Sequence, residues 1–256
     1  MIWPRRCALG CGKVLTLLAG LAAPAVAQNR FPPDSLRNLK VLPATTTPRE
    51  IVGIMRGFAS ALGVRCQHCH VGEEGRPLET FDFVTDDKRT KRTARLMIQM
   101  VQDINQRTLA EIPERPTPNV AVTCETCHRG VARPAPLGQL IAEALAAGGP
   151  DSARQAYRAL RERYYGRASY DFGEPSLVGT ALDLARDGRL DEALAVLRLN
   201  DEQFPTSANT MNNIGDVYLA RRDTVAALEA YRTALRRDST DVVARLRLRG
   251  LERRPP

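Results

Sequence analysis

Two copies of one short pattern constrain this chain of 256 residues more than any other feature of its sequence. Each copy reads Cys-x-x-Cys-His, first at residues 66–70 and again at residues 124–128. One helical turn brings the two sulfurs of such a pattern to opposite vinyl edges of a porphyrin, and the imidazole that follows lies under the iron. The spacing therefore predicts two c-type haems. The predicted attachment residues are Cys66, Cys69, Cys124 and Cys127, and the predicted iron-binding histidines are His70 and His128.

Two other uses of these four cysteines stay open on spacing alone. A zinc ion could take both pairs as tetrahedral thiolate ligands. In an oxidising compartment the cysteines could instead form disulfide bonds. Neither alternative explains why a histidine follows each pair, so the sequence favours haem attachment.

The beginning of the chain predicts export. Basic Arg5 and Arg6 precede an apolar run at residues 14–23, and residues 25–27 read Ala-Val-Ala, a small-x-small cleavage site. The apolar run is short for a membrane span. We therefore expect residues 1–27 to be a signal peptide and the mature protein to be periplasmic, with an uncleaved membrane anchor as the alternative. An exported chain rarely meets nucleic acid, so we assign no nucleic-acid partner to the net charge of +8.

The sixth ligand of each iron has few candidates. The chain has three histidines, and His68 is badly placed to reach the far side of a haem because it lies between two haem-attached cysteines. Methionine is then the economical choice, and its thioether raises the reduction potential of the iron. The candidates near the motifs are Met55, Met97 and Met100.

Two predicted helices carry these methionines. Residues 47–50 read Thr-Pro-Arg-Glu, a capping box with proline at the first helical position. Met55 falls on the apolar face of the helix that follows. A second helix is predicted over residues 90–109, with Met97 in its apolar stripe and Met100 at the edge of that stripe. Core packing is the alternative role for these side chains.

A charged run at residues 86–92 precedes the second predicted helix. Such a run is typical of a solvated loop and helix start. The alternative role of its cations is pairing with haem propionates, which are anionic. The candidates for that role are Lys88, Lys91, Arg92 and Arg95.

The sequence changes character after a proline-containing linker at residues 131–138. Ala193 and Ala227 are 34 residues apart, and the segment from Ile214 to Ala234 follows the tetratricopeptide pattern at its diagnostic positions. The predicted fold class is therefore all-α. We expect residues 28–137 to form a dihaem cytochrome c domain and residues 138–256 to form a tetratricopeptide-type α-solenoid.

The order of features from Val41 to Pro136 is also characteristic. A helix with a methionine precedes each motif, and three flanking patterns are Leu62-Gly63-Val64, Ala94-Arg95-x-Met97-x-x-Met100 and Arg129-Gly130. This stretch resembles the cytochrome c subunit of photosynthetic reaction centres and the shorter dihaem cytochromes related to it. In that family a methionine of the preceding helix is the sixth ligand. The resemblance implies Met55 for the haem on His70 and Met97 for the haem on His128.

Together these predictions favour electron transfer over catalysis. We expect a dihaem c-type cytochrome that exchanges electrons with a redox donor and a redox acceptor, has no catalytic residue, and uses its repeats for partner docking or assembly. Association with the membrane through a membrane complex is a further option. The alternative is a dihaem enzyme of peroxidase type with one open iron. That chemistry needs acid–base groups beside the iron, and His68 is the only histidine left for such a role.

Overall fold

The computed structural model describes residues 30–253, and this part of the chain contains nine α-helices and no strand. The nearest approach to a sheet is an isolated antiparallel bridge between Val71 and Asp82. The all-α prediction is therefore confirmed. The predicted signal peptide at residues 1–27 lies outside the described residues. Within residues 30–253, no helix combines the length and the apolar composition that a membrane crossing needs.

The first helix, α1, spans Pro48–Leu62 and begins as the sequence predicts. The Thr47 hydroxyl accepts a hydrogen bond from the Glu50 amide, and the Thr47 amide donates to the Glu50 carboxylate at 2.7 Å. This capping box satisfies amides that a helix start leaves free. The helix ends at Gly63, whose φ of 64° is a left-handed conformation that favours glycine.

The second helix, α2, spans Arg89–Asp103 and continues into a wider π-helical turn at Ile104–Thr108. The side chain of Asn105 in that turn makes two hydrogen bonds to the backbone of the segment that leads to the second motif. Its amide donates to the Val122 carbonyl at 2.7 Å, and its carbonyl accepts from the Val122 amide at 2.8 Å. The helix predicted over residues 90–109 is thus present, with a widened last turn.

The remaining helices begin with α3, a single short helix at Cys124–His128 that holds the second motif. Six further helices follow from residue 137 onwards. They are α4 (Leu137–Tyr164), α5 (Glu174–Arg186), α6 (Leu190–Gln203), α7 (Ala208–Ala220), α8 (Thr224–Arg237) and α9 (Val242–Glu252). Helix α4 breaks at Gly148 and Gly149, where the backbone leaves helical φ/ψ values just before Pro150. It therefore consists of two helices joined by a kink.

The spacing of these helices is regular. Helices α5, α7 and α9 begin 34 residues apart, and α6 and α8 begin 34 residues apart as well. From α5 to α9 each helix packs on the next, and α5 also packs on α7. The period that the sequence suggests is therefore present in the helices, whereas their assignment as tetratricopeptide repeats stays a prediction.

One close contact explains a glycine in the repeat pattern. Tyr231 of α8 is fully buried, and a Cβ atom added at Gly215 of α7 would lie 2.6 Å from its ring. The Tyr231 hydroxyl donates to the Asp216 carboxylate at 2.6 Å, so the phenol is both packed and hydrogen-bonded. Glycine at this position lets α7 and α8 approach closely.

The connection between the two predicted domains is short and is buried at its two ends. Val131, Leu137 and Gly138 are buried, and α4 begins directly at Leu137. Across the junction, the Ser169 hydroxyl donates to the Arg129 carbonyl at 2.7 Å, and Arg133 makes a paired salt bridge with Glu143. The predicted linker therefore forms a defined junction.

Candidate haem-binding site

The first candidate haem site, called the first haem site below, consists of Cys66, Cys69 and His70. Residues Cys66–His68 form a single 3-10 turn, and the His70 amide donates to the Cys66 carbonyl at 2.9 Å. This turn collects both thiols and the imidazole at one end of α1. Both cysteines and the histidine are half-buried, and the His70 ring packs edge-on against Phe83 at 4.9 Å between ring centroids.

The His70 imidazole is held in its neutral form. Burial, together with the nearby charge of Lys91, lowers the pKa of His70 to about 4. Its Nδ1 atom is buried and has no hydrogen-bond partner among the described residues. A neutral imidazole is the form that binds a metal ion, because coordination uses the nitrogen lone pair.

A segment at residues 81–95 covers the first haem site and ties it down through the backbone. The Thr90 hydroxyl donates to the His68 carbonyl, and the Lys88 ammonium donates to the Gln67 carbonyl. The Lys91 ammonium donates to three successive carbonyls at 2.7–3.0 Å, those of Phe83, Val84 and Thr85. These bonds fix the loop that carries Phe83 against His70.

Asp86 is the centre of an ion-pair cluster in the same segment. Its carboxylate lies 2.7 Å from the Lys40 ammonium, 2.6 Å from the Arg95 guanidinium and 3.2 Å from the Lys91 ammonium. The hydrogen bonds from Arg95 and Lys40 hold the pKa of Asp86 far below its ordinary value of 3.8. A carboxylate with three cationic partners stays ionised throughout the physiological range.

The charged run is a solvated loop and helix start in part: Asp87, Arg89 and Arg92 are exposed, whereas one of its cations is buried. Lys91 is only 8% exposed, so it is not part of a solvated loop. Lys91 and Arg95 are paired with Asp86, and Arg92 donates to the backbone carbonyls of residues 86 and 87. These contacts show what the three side chains bind within the chain, and their pairing with haem propionates stays a prediction. Sequence patterns could not find these contacts, because a backbone carbonyl partner leaves no trace in residue type.

The second candidate haem site, called the second haem site below, consists of Cys124, Cys127 and His128 in α3. A capping box between Thr123 and Thr126 starts this short helix. The His128 Nδ1 atom donates to the Val131 carbonyl at 2.9 Å, which leaves Nε2 to bind a metal ion. A proximal histidine is oriented in this way when a carbonyl fixes its ring and tautomer. Cys124 is half-buried, and Cys127 is exposed.

The two sites are joined by a backbone contact that the sequence did not predict. The Gly130 amide, two residues after His128, donates to the Ala61 carbonyl near the end of α1 at 2.8 Å. A Cβ atom added at Gly63 would lie 2.0 Å from the Gly130 carbonyl oxygen. Both glycines have a positive φ, 64° and 81°. The start of the first site and the exit of the second are therefore in direct contact.

The candidate methionines occupy two helices. Met55 is half-buried on α1, whereas Met97 and Met100 are 39% and 42% exposed on α2. The face of α2 that is covered by the rest of the chain carries other residues, namely Lys91, Ala94, Arg95, Ile98, Val101 and Gln102. Helix α2 therefore has two apolar sides, and Met97 and Met100 lie outside the covered one. The choice between them stays a prediction.

The residues present fit a covalently held haem at each site. Each site combines two unpaired thiols with an imidazole, the donor set of a c-type haem. The neutral His70 ring and the fixed His128 ring suit iron binding. The same region exposes apolar side chains that a porphyrin can cover, including Leu96, Met97 and Met100.

Among the described residues, the four motif cysteines form neither a tetrathiolate cluster nor a disulfide bond. Nowhere in residues 30–253 do three or more His, Cys, Asp or Glu side chains gather to hold a metal ion. The two cysteine pairs are thus not brought together as a tetrathiolate site. All four cysteines are free of disulfide bonds.

A helical region with two such motifs is typical of c-type cytochromes. Residues 66–149 match the family described as the photosynthetic reaction centre cytochrome C subunit, which confirms the resemblance drawn from the sequence. The match begins at the first motif cysteine, includes the second motif and ends at the kink of α4. That family is a haem-binding, electron-transfer family. No curated protein matches the chain.

Proposed function

We propose that this protein is an exported dihaem c-type cytochrome that passes electrons between redox proteins in the periplasm. The observation that carries this proposal is the pairing of two complete haem attachment motifs within a family-matched stretch, each with a neutral or carbonyl-fixed imidazole beside its thiols. When bound, each haem supplies one-electron exchange at its iron. The chain holds it, orients its histidine ligand and sets its surroundings.

Each site has a proposed complete set of ligands. Cys66 and Cys69 would attach the first haem, and His70 and Met55 would bind its iron. Cys124 and Cys127 would attach the second haem, and His128 and Met97 would bind its iron. The His128 contact with Val131 supports this role, because a ring fixed through Nδ1 presents Nε2 to the iron.

The methionine assignment has a direct spectroscopic test. Residues 97 and 100 are about 60° apart around a helix of 3.6 residues per turn, so both cannot face one iron equally well. We expect Met97→Ala to remove part of the weak far-red band that a methionine–ferric iron bond gives, and Met100→Ala to keep that band. Because Met100 is 42% exposed, its replacement has a small effect on packing. Loss of the band only in Met100→Ala contradicts the assignment.

The peroxidase-type alternative differs in how it treats a small ligand. An iron with two protein ligands resists carbon monoxide, whereas an open iron binds it at once. We expect neither reduced site of the full chain to bind carbon monoxide rapidly. Rapid and stoichiometric binding at one site favours the enzyme.

The helices from residue 137 onwards are proposed to dock a partner or to assist assembly. Their 34-residue period and continuous packing support a tetratricopeptide-type array, in which stacked helix pairs form an extended binding surface. We expect a chain that ends at Pro136 to load both haems and to reduce small-molecule mediators normally, while its reaction with the physiological redox partner slows. Failure of the shortened chain to load haem assigns the helices a structural role instead.

A further inference from the structure

The two proximal histidines differ in their hydrogen bonding. His128 Nδ1 donates to the Val131 carbonyl, whereas His70 Nδ1 is buried and has no partner among residues 30–253. A hydrogen bond from the far ring nitrogen makes the ligating nitrogen more basic. A more basic ligand stabilises ferric iron, which carries one more positive charge than ferrous iron. This difference would lower the reduction potential of the haem iron bound by His128 relative to that of the iron bound by His70.

The two sites also differ in burial. Cys66 and Cys69 are half-buried, and Phe83 covers the His70 ring. At the second site Cys127 is exposed, and the neighbouring Glu125 and Arg129 side chains are exposed as well. A low-dielectric setting disfavours the oxidised, more highly charged state of an iron centre. Burial therefore raises the potential of the first site.

The charges around the sites act in the same direction. The cations Lys88, Lys91 and Arg95 face the first site, where the nearby carboxylates are Asp82 and Asp86. The side chains of Lys91 and Arg95 are only 10% and 15% exposed, so water screens their charges weakly. Near the second site the charged neighbours of His128 in sequence are the exposed Glu125 and Arg129, whose charges oppose each other. The local balance is thus more positive at the first site.

We propose that the first haem site has the higher reduction potential of the two, so that electron flow through this protein has a direction. This inference rests on the proposed dihaem function. One electron comes from a reduced donor protein at the second site, and one electron leaves to an oxidised acceptor protein at the first site; no bond forms or breaks. The second site lies beside the junction with α4, where Ser169 contacts Arg129, so a donor bound to the helical region is close to it.

The test is a spectroelectrochemical titration of the full chain and of single-charge variants. The wild type is expected to show two midpoints. Lys88→Gln removes a cation at the first site and keeps a side chain that can donate to the Gln67 carbonyl. We expect it to lower the upper midpoint and to leave the lower one in place. The matched control, Lys88→Arg, keeps the charge and leaves both midpoints unchanged.

A second variant assigns the lower midpoint. Arg129→Asn removes the cation next to His128, and asparagine tolerates the positive φ of 48° at this position. We expect only the lower midpoint to fall. Coincident midpoints, or a Lys88→Gln variant that moves the lower midpoint or neither, overturn the inference. A protein that carries fewer than two haems contradicts the proposed function instead, and haem content is measured separately.

Discussion

The two halves of the described chain have similar lengths but different interiors. Three apolar side chains are buried between residues 30 and 136, namely Ala61, Phe81 and Val131, whereas twenty-two are buried between residues 137 and 253. The second half has two apolar clusters that extend from α4 to α9, and the partly buried Met211 and Tyr218 pack against both of them. The first half has helices without a comparable core.

Polar contacts hold the first half in place instead. Lys91 binds three carbonyls, Asp86 binds three cations, and Asn105 clamps Val122 through two hydrogen bonds. Such contacts orient loops, but they bury little apolar surface, which is the dominant favourable contribution to folding. From this comparison we expect the helical half to fold on its own sequence, and we propose that the first half takes part of its interior from covalently attached haem.

The largest effect is expected from removing all four attachment residues. In the Cys66→Ala, Cys69→Ala, Cys124→Ala, Cys127→Ala protein, we expect amides of α1 and α2 to exchange with solvent at nearly unfolded rates. Amides of α5–α8 stay protected, because their core is intact. Hydrogen exchange followed by mass spectrometry measures both regions in one sample. Wild-type protection in α1 and α2 contradicts the comparison.

The complementary experiment perturbs the second half and removes a large side chain from its apolar interior. Tyr231 is fully buried, so Tyr231→Ala is expected to reduce the free energy of unfolding of the helical half by about 3–5 kcal/mol. The Soret spectrum stays unchanged, because the haem sites do not depend on this core. Urea unfolding followed by far-ultraviolet circular dichroism measures the loss. Tyr165→Ala is the control, since Tyr165 is 64% exposed and its loss costs less than about 1 kcal/mol.

Smaller losses of stability are expected from substitutions at the backbone contact between the two haem sites. Gly63→Ala and Gly130→Ala both place alanine at a positive φ, so they share the same kind of backbone strain. The Cβ atom at residue 63 meets the Gly130 carbonyl at 2.0 Å, whereas the nearest atom to a Cβ at residue 130 is the Ser169 hydroxyl at 3.8 Å. We expect Gly63→Ala to reduce the free energy of unfolding by roughly 1–3 kcal/mol more than Gly130→Ala does. Urea unfolding followed by the Soret band measures both values. Equal losses exclude a role for the close contact.

The smallest change in the free energy of unfolding is expected from loss of the Asp86 ion pairs, and this change depends on pH. Its folded-state pKa lies far below the ordinary 3.8, so its contribution to stability is complete above that value and is lost as pH falls through the folded-state pKa. We expect Asp86→Asn to be less stable than wild type by the same amount at pH 7 and pH 5. The difference narrows below about pH 4, where protonated Asp86 becomes populated in the unfolded chain.

The neighbouring carboxylate supplies the matched control for that series. Asp87 is exposed, and Asp86, not Asp87, makes the salt bridges of this cluster. Asp87→Asn is therefore expected to unfold like wild type in urea at every pH. A gap between wild type and Asp86→Asn that widens in acid contradicts the sign of the pKa change.

Features that depend on local chemistry could be predicted from the sequence. The capping box at Thr47, the two attachment motifs and the 34-residue period each rest on residues that lie close together in the chain or repeat along it. Helix α2 also begins and ends close to its predicted bounds. The apolar stripe assigned to α2 was less accurate, because that helix has apolar residues on two sides and periodicity alone does not say which side the chain covers.

Features that depend on distant backbone partners could not be predicted. The burial of Lys91 follows from carbonyls that any residue type supplies, and the same holds for the Val131 carbonyl that fixes His128. The contact between Gly63 and Gly130 joins positions far apart in sequence. Each glycine is visible in the sequence beside its motif, but their proximity depends on how α1 packs against α3.

The central claim is that both motifs carry haem, and covalent stoichiometry tests it most directly. Mass spectrometry of the mature protein and of its proteolytic peptides, combined with a pyridine haemochrome spectrum, counts the attached haems and locates them. We predict two haems per chain, one on the peptide with Cys66 and Cys69 and one on the peptide with Cys124 and Cys127. Peptides without a haem adduct, or with the cysteines in disulfide bonds, contradict the account.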